Sequence, residues 1–449
     1  MGKLNAKQLL SVSLTLFAIF FGAGNMIFPP AMGQLAGANF ISALAGFIVT
    51  DAGIAILGMI AVVLVGSSMS DLGRLVSRKF AILLPVGVYL LIGPLFALPR
   101  TGSVSFELAL LPYIPKNNAW MFSLVFTACF FLFTYYLSSN PNKIVDVVGK
   151  YMTPVLLISI LMIFIACVFT DQVNSEMIQY GTIGAPQQDY ASIPFFKGMI
   201  EGYNALDGPA GLAFAIIVIN AIRGYGIKDK KFIVKYTIIS GLGAAFFLAV
   251  VYFMLTYAGA ITSTSFANGG ALLHALTTSL YGSVGGVILG VSVLLACLTT
   301  SIGLTTAFSD YFKELFPSIS YKKIAALVCV FSFIISNVGL SQLITISLPV
   351  LMMIYPVTVV LILLSFMKKY IGHRRMVYVG GMLMALLASF VSALESAGIS
   401  FVLTSLFHEY LPFYTLGLGW ILPAVIGAGI GFLPFWPMNK KDKDALENI

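Results

Sequence analysis

Two stretches decide how this chain is read: FGAGNMIFPP at residues 21–30 and EGYNALDGPAG at residues 201–211. Each lies in a long apolar run and crowds glycine, asparagine and proline into a few residues. Proline removes a backbone donor and its ring clashes with the preceding turn. Glycine lowers the cost of leaving the helix. The second stretch adds two carboxylates, Glu201 and Asp207. In hydrocarbon an unsatisfied backbone group costs several kcal/mol, so a helix is interrupted there only beside protein or a wet cavity. An unpaired ionised carboxylate adds roughly 2.5–3.5 kcal/mol on insertion scales. These costs point to functional breaks in the first and sixth apolar runs rather than packing kinks.

Outward from these stretches, composition sets the class. Of 449 residues, 59% are hydrophobic and 9% charged, against about 25% charged in an ordinary soluble protein. A spanning helix needs about 20 apolar residues, and twelve such runs are predicted, at roughly 8–32, 40–66, 80–111, 118–138, 144–169, 194–221, 232–259, 281–308, 322–337, 342–367, 376–396 and 415–436. Lys3 and Lys7 before the first run resemble a signal peptide, but the run is too long and no small-residue cleavage site follows. It reads as the first span. Cys129, Cys167, Cys297 and Cys329 are scattered through apolar runs without a CxxC pair and read as small core residues. His274, His373 and His408 fall at predicted span ends and read as interfacial.

Charge orients the spans. The net charge of +8 would suit nucleic acid in a soluble protein, but here it lies between apolar runs. With the N-terminus in the cytoplasm, all but three of the 25 basic residues fall on cytoplasmic segments; the exceptions are Arg100, Lys116 and Lys197. Omitting one central span would invert the downstream loops, so the positive-inside rule supports twelve spans with both termini cytoplasmic. The longest loop, about 170–193, lacks lysine and arginine and holds Asp171, Glu176 and Asp189, as an external loop would. The tail, with Lys440, Lys441 and Lys443, reads as solvated.

The breaks are five spans apart, and five is odd. A five-helix unit repeated with opposite topology places matched breaks in this relation, the mark of one class of secondary transporter. The expected architecture is an all-α polytopic membrane domain over residues 1–449. It comprises a five-plus-five inverted repeat (about 8–169 and 194–367) with broken helices 1 and 6, plus two C-terminal helices at about 376–436. Similarity between the halves is faint: a glycine–asparagine–proline order recurs (Gly22, Asn25, Pro29 and Gly202, Asn204, Pro209) with different spacings.

An opened helix exposes amide donors at one end and carbonyls at the other, which suits an amino acid zwitterion. Amides around Gly22, Ala23 and Gly24 would meet its carboxylate. Carbonyls of the sixth-span break or Asp207 would meet its ammonium. In span 8, LLACLTTSIGLTTAFSD (294–310), Ala296, Thr299 and Thr300 share a face by i, i+3 and i+4 spacing, a candidate cation half-site that Ser301 does not share. In span 3, Arg100 and Glu107 stand two turns apart. They are either a partnered intramembrane charge set or snorkelling interfacial charges. Asp51 opens the buried part of span 2, with a structural or proton-linked role.

FGAGNMIFPP, GPLFALPRTGSVSFE (93–107), Gly202-Tyr203 and Leu206-Asp207 followed by AFAIIVINAIR (213–223), and LACLTTSIGL (295–304), in this order, resemble the BrnQ family of branched-chain amino acid carriers. That family is similar to the leucine-transporter fold and imports leucine, isoleucine and valine with sodium or, in some members, protons. The resemblance implies main-chain substrate contacts from Gly22 to Asn25 and a sodium site from the Ala18 and Phe21 carbonyls with Ala296, Thr299 and Thr300. It further implies substrate contacts around Gly202, Tyr203, Asn204, Ala205 and Asp207; apart from the resemblance, an aliphatic side chain needs an apolar pocket, for which Phe96 and nearby span-3 residues are the expected lining. Glu201, Asp51, Arg100 and Glu107 remain as coupling or structural charges. Where the family reads Gly-Tyr-Leu-Thr-Met-Asp, Ala205 replaces the threonine, so a hydroxyl contact is missing. No resident cofactor is expected beyond the transported cation. The expected partners are the substrate and the lipid bilayer of the plasma membrane; nucleic acid and an obligatory protein partner are not expected. An intramembrane enzyme lacks its motifs here: there is no HExxH and no central histidine. A channel needs no inverted pair of breaks, while a nucleobase carrier fits the same fold.

Overall fold

The computed structural model describes residues 4–140, 145–169, 173–174, 178–372, 374–399 and 401–433. Lys3, Lys143, Asp171, Glu176, His373, Lys440, Lys441 and Lys443 lie outside them. Helices follow the twelve apolar runs. Span 1 is Ala6–Phe20 with Ala23–Ala36, and span 2 is Phe40–Ile48 with Ile54–Val65. Span 3 is Phe80–Leu90 with Ala97–Ala109, span 4 is Ala119–Ser138, and span 5 is Val145–Phe169. Span 6 is Pro194–Ala205 with Asp207–Gly224, span 7 is Lys230–Ala260, and span 8 is Ser283–Leu315. Span 9 is Tyr321–Ser336, span 10 is Leu340–Phe366, span 11 is Arg375–Ser396 and span 12 is Ile421–Gly431. Among the described residues nine helical stretches are long and apolar enough to cross a membrane, one running over Ala23–Val65, and shorter apolar helices occupy Ala6–Phe20 and Ile421–Gly431.

Large apolar side chains stand outward on many spans: Phe133 is 61% exposed, Phe246 64% and Leu327 66%. Water would not tolerate so broad an apolar surface on a monomer; lipid tails do. Within the bilayer, spans are held by close packing rather than by expulsion of water. A Cβ at Gly33 would overlap the Thr256 backbone and one at Gly259 the Pro30 carbonyl, so spans 1 and 7 meet backbone to backbone.

Packing sorts the spans into groups. The two halves of span 1 lie along span 7, and the two halves of span 6 along the two halves of span 2. Spans 3, 4, 8 and 9 pack on one another, while spans 11 and 12 pair closely and lean on span 10. A separate helix, Gly269–Tyr281, lies between spans 7 and 8 and carries His274, which is therefore not at a span end. His408 sits on another short helix, Val402–Tyr410. Two short strands, Val173–Asn174 and Gln179–Tyr180, pair antiparallel before span 6.

Both expected breaks are present, and each falls beside rather than on the prolines. In span 1 the helix stops at Phe20, Gly22 is extended (φ −117°, ψ −156°), and the helix restarts at Ala23. Pro29 and Pro30 lie inside the restarted helix. In span 6 the helix stops at Ala205, Leu206 takes the left-handed conformation (φ 78°, ψ 3°), and Asp207 restarts it. Pro209 then occupies the first turn, where its missing N–H has no intrahelical partner to lose.

Two further interruptions have no proline–glycine cluster as marked as the first. Val49–Gly53 widens span 2 into a π-helical turn around Asp51. Asp51 is fully buried there, but the buried part of span 2 does not open with it, since Ala43, Leu44, Gly46 and Phe47 before it are buried too. Leu91–Leu95 does the same in span 3, with Gly93 leaving helical geometry (φ −83°, ψ −119°).

Candidate substrate and cation site

The breaks in spans 1 and 6 face one buried cavity together with span 3 and span 8. It is lined by Gly22, Ala23, Gly24 and Asn25, by Ala205, Leu206 and Asp207, by Ala97, Arg100 and Thr101, and by Thr300 and Leu304. Its volume is about 20 Å³, room for about one water. An amino acid enters only if lining groups move apart. The walls make close contact: a Cβ on Gly22 would sit 2.7 Å from Thr300 Oγ1, and one on Gly24 3.0 Å from Ala205 Cα. Glycine at these positions lets the break of span 1 approach spans 8 and 6.

Asn25 ties the break together. Its Oδ1 accepts from the Gly22 amide at 3.0 Å, and its Nδ2 donates to Asp207 Oδ2 at 2.9 Å and to the Tyr252 hydroxyl at 2.5 Å. Tyr252 in turn donates to Asp51 Oδ2 at 2.5 Å. One chain of hydrogen bonds thus links spans 1, 2, 6 and 7. Its two carboxylates are buried, Asp51 at 0% and Asp207 at 5% exposure. Asp207 also sits at the N-terminus of its half-helix, where the helix dipole favours negative charge.

Four residues upstream of Gly22, the Ala18 carbonyl accepts from Thr299 Oγ1 at 2.8 Å and Thr300 Oγ1 at 3.4 Å. Thr299 Oγ1 also reaches the Ala296 carbonyl at 3.0 Å. Ala18, Ala296, Thr299 and Thr300 therefore meet at one point, a set of carbonyl and hydroxyl oxygens of the kind a hard monovalent cation takes. Ser301 turns away and bonds Thr134 on span 4 at 2.9 Å. Phe21 donates its amide to the Phe17 carbonyl at 2.7 Å and stacks on the Phe17 ring.

Other predicted residues lie elsewhere. Phe96 packs with Leu91, Leu206 and Leu351 in a small separate cluster, outside the cavity lining. Gly202 lies against Thr50, and Tyr203 stacks on Tyr355 with centroids 4.2 Å apart. Asn204 donates to Glu201 at 3.2 Å. Arg100 and Glu107 are not partnered with each other. Two turns separate them by about 10 Å of rise, beyond the i, i+4 reach within which side chains meet. Arg100 instead donates to the Asn204 carbonyl at 2.7 Å and to Ser347 Oγ at 2.9 Å, and is not snorkelling, being 2% exposed. Glu107 accepts from the Leu340 amide at 3.3 Å.

The residues that sequence reasoning overlooked are Tyr252, Ser347 and Tyr355. Tyr252 and Tyr355 are fully buried, and Tyr355 donates to the Thr50 carbonyl beside Asp51. A hydroxyl in the middle of an otherwise apolar span was the available signal, since buried polar groups in a membrane have partners.

Solved structures share this architecture. A substrate-bound, outward-open Na+-coupled sialic acid symporter aligns with TM-score 0.59 at 14% identity, covering 96% of this chain and 90% of its own. Mhp1, a nucleobase-cation-symport-1 family transporter in a closed conformation, aligns with TM-score 0.54 at 14% identity, covering 97% and 96%. The fold and its paired breaks place the chain among polytopic all-α membrane proteins of the leucine-transporter architecture. Within that class the chain belongs to the family described as branched-chain amino acid transport protein, which it matches over residues 5–436. It is 40% identical to the branched-chain amino acid permease BraB of Bacillus subtilis strain 168 over 96% of both chains, and 41% identical to BrnQ of the same organism over 96% of this chain and 97% of that one.

Proposed function

We propose that this chain imports leucine, isoleucine and valine across the plasma membrane by symport with a cation, sodium, through alternating access. The observation that carries the reading is the single cavity bounded by both interrupted helices, apolar along Ile19, Phe20 and Phe214 and polar at Asn25, Asp207 and Arg100. The apolar wall suits an aliphatic side chain and the polar end a zwitterion. An apolar pocket separates side chains differing by one methylene by only about 1–3 kcal/mol, which favours uptake of all three amino acids over one. Sodium sits at the Ala18, Ala296, Thr299 and Thr300 oxygens, with the Phe21 carbonyl close by in sequence. Both termini are cytoplasmic, and residues 8–169 and 194–367 form the inverted repeats. Spans 1, 2, 6 and 7 rock against spans 3, 4, 8 and 9, a division their packing supports. Driving one cation through 100 mV supplies about 2.3 kcal/mol.

Proton coupling is the second reading. It is favoured by Asp51 and Asp207, two buried carboxylates joined through Tyr252 and Asn25. Purified protein in liposomes decides between them when sodium and pH gradients are imposed separately. Labelled leucine accumulates under an inward sodium gradient at symmetrical pH. Accumulation driven by the pH gradient alone assigns the proton, and equal uptake without any gradient rejects symport.

A further inference from the structure

Arg100 is a buried cation that pairs with no anion among the described residues. Its Nη1 meets a carbonyl and its Nη2 a hydroxyl, Phe28 lies under the guanidinium with its ring centroid 5.8 Å away, and Nε has no hydrogen-bond partner among the described residues. No carboxylate among the described residues forms an ion pair with it, although it lines the central cavity beside the two breaks. A buried charge without a counter-charge is costly, and a fork of five N–H donors matches a carboxylate edge to edge. A second observation concerns the break itself. The Gly22 amide, a natural donor for a bound carboxylate, is already taken by Asn25 Oδ1. The main chain of span 1 therefore offers fewer free donors than its sequence implies.

We infer that Arg100 is a substrate-binding residue whose guanidinium takes the carboxylate of the transported amino acid, while Asp207 stands at the same cavity for the ammonium. This rests on the reading of the cavity as an amino acid site. The Asn204 carbonyl and Ser347 hold the guanidinium in place, which joins spans 3, 6 and 10 at the carboxylate.

The experiment compares binding of leucine and of leucinol, in which a hydroxymethyl group replaces the carboxylate, to the purified full-length chain and to Arg100→Gln and Arg100→Lys. The wild type prefers leucine. In Arg100→Gln the leucine-to-leucinol preference falls by at least about tenfold, the scale of a lost charge-assisted bond. Arg100→Lys, which keeps the charge without the fork, falls part of the way. A purely structural arginine would weaken both ligands equally, so an unchanged preference in the variants overturns the inference. Should Arg100→Gln fail to fold, Arg100→Lys decides alone: a reduced preference supports the assignment, and the wild-type ratio overturns it. A wild type that binds leucine and leucinol equally also overturns it. A wild type that binds no branched-chain amino acid overturns the functional reading instead.

Discussion

Three consecutive hydroxyl residues on span 8 have two different roles because a helix turns each by about 100°. Thr299 and Thr300 reach the Ala18 carbonyl exposed just before the break, whereas Ser301 faces Thr134. Replacing Thr299 removes an oxygen from the candidate cation site. Replacing Ser301 removes one neutral side-chain bond worth about 0.5–1.5 kcal/mol. Thr299→Ala is therefore expected to raise the sodium concentration for half-maximal uptake by about tenfold, and Ser301→Ala to leave it within about twofold while lowering thermal stability modestly. Sodium titration of leucine uptake with each variant checks this, and the reverse order would remove the face assignment. The i, i+3, i+4 spacing made this legible in the sequence. The partner carbonyl was less so, because main-chain atoms carry no residue-specific signal.

At the scale of the element, span 6 breaks at a leucine. Leu206 is held at φ 78°, a region that costs a non-glycine residue about 1–3 kcal/mol. Its side chain is 2% exposed among Leu91, Phe96 and Leu351, and that packing offsets part of the strain. A β-branched side chain tolerates the left-handed region worse still, while an unbranched one of similar volume does not. Leu206→Ile is expected to lower the thermal midpoint of the detergent-solubilised protein by several degrees more than Leu206→Met. Equal midpoints would show that the backbone at this position is relaxed. The position of the break was foreseen from EGYNALDGPAG to within a few residues, but its left-handed residue was not. Proline and glycine mark where a helix weakens, and neighbouring contacts choose which residue turns.

Across the whole molecule, the candidate cation and substrate sites share one interrupted segment. The Ala18 carbonyl lies in the last turn of one half of span 1, and Gly22 caps the start of the other four residues later. A cation that orders Ala18 against span 8 would also fix the adjacent amides, so the two candidate sites are expected to be energetically coupled, and such coupling is reciprocal. Sodium is expected to tighten leucine binding by the same factor by which leucine tightens sodium binding, within about 5–150-fold. Calorimetric titration of each ligand with and without the other measures both factors. Independent affinities would separate the two sites and leave the carrier without this link.

The sequence alone determined the spans and the two breaks. Hydrophobic length and the spacing of glycine, proline and charge are local quantities, and the bilayer punishes any other reading of them. It also placed Ala296, Thr299 and Thr300 of the candidate cation set on one helical face. Which distant groups meet emerges only when the helices are assembled: Asp51 with Tyr252, Asn25 with Asp207, and Arg100 with the Asn204 carbonyl and Ser347 rather than with Glu107. Those pairings join residues more than a hundred positions apart, and no helix's own sequence says which polar residue of which distant helix its own will meet. Satisfaction of buried polar atoms constrains the assembled bundle, and no single span records it.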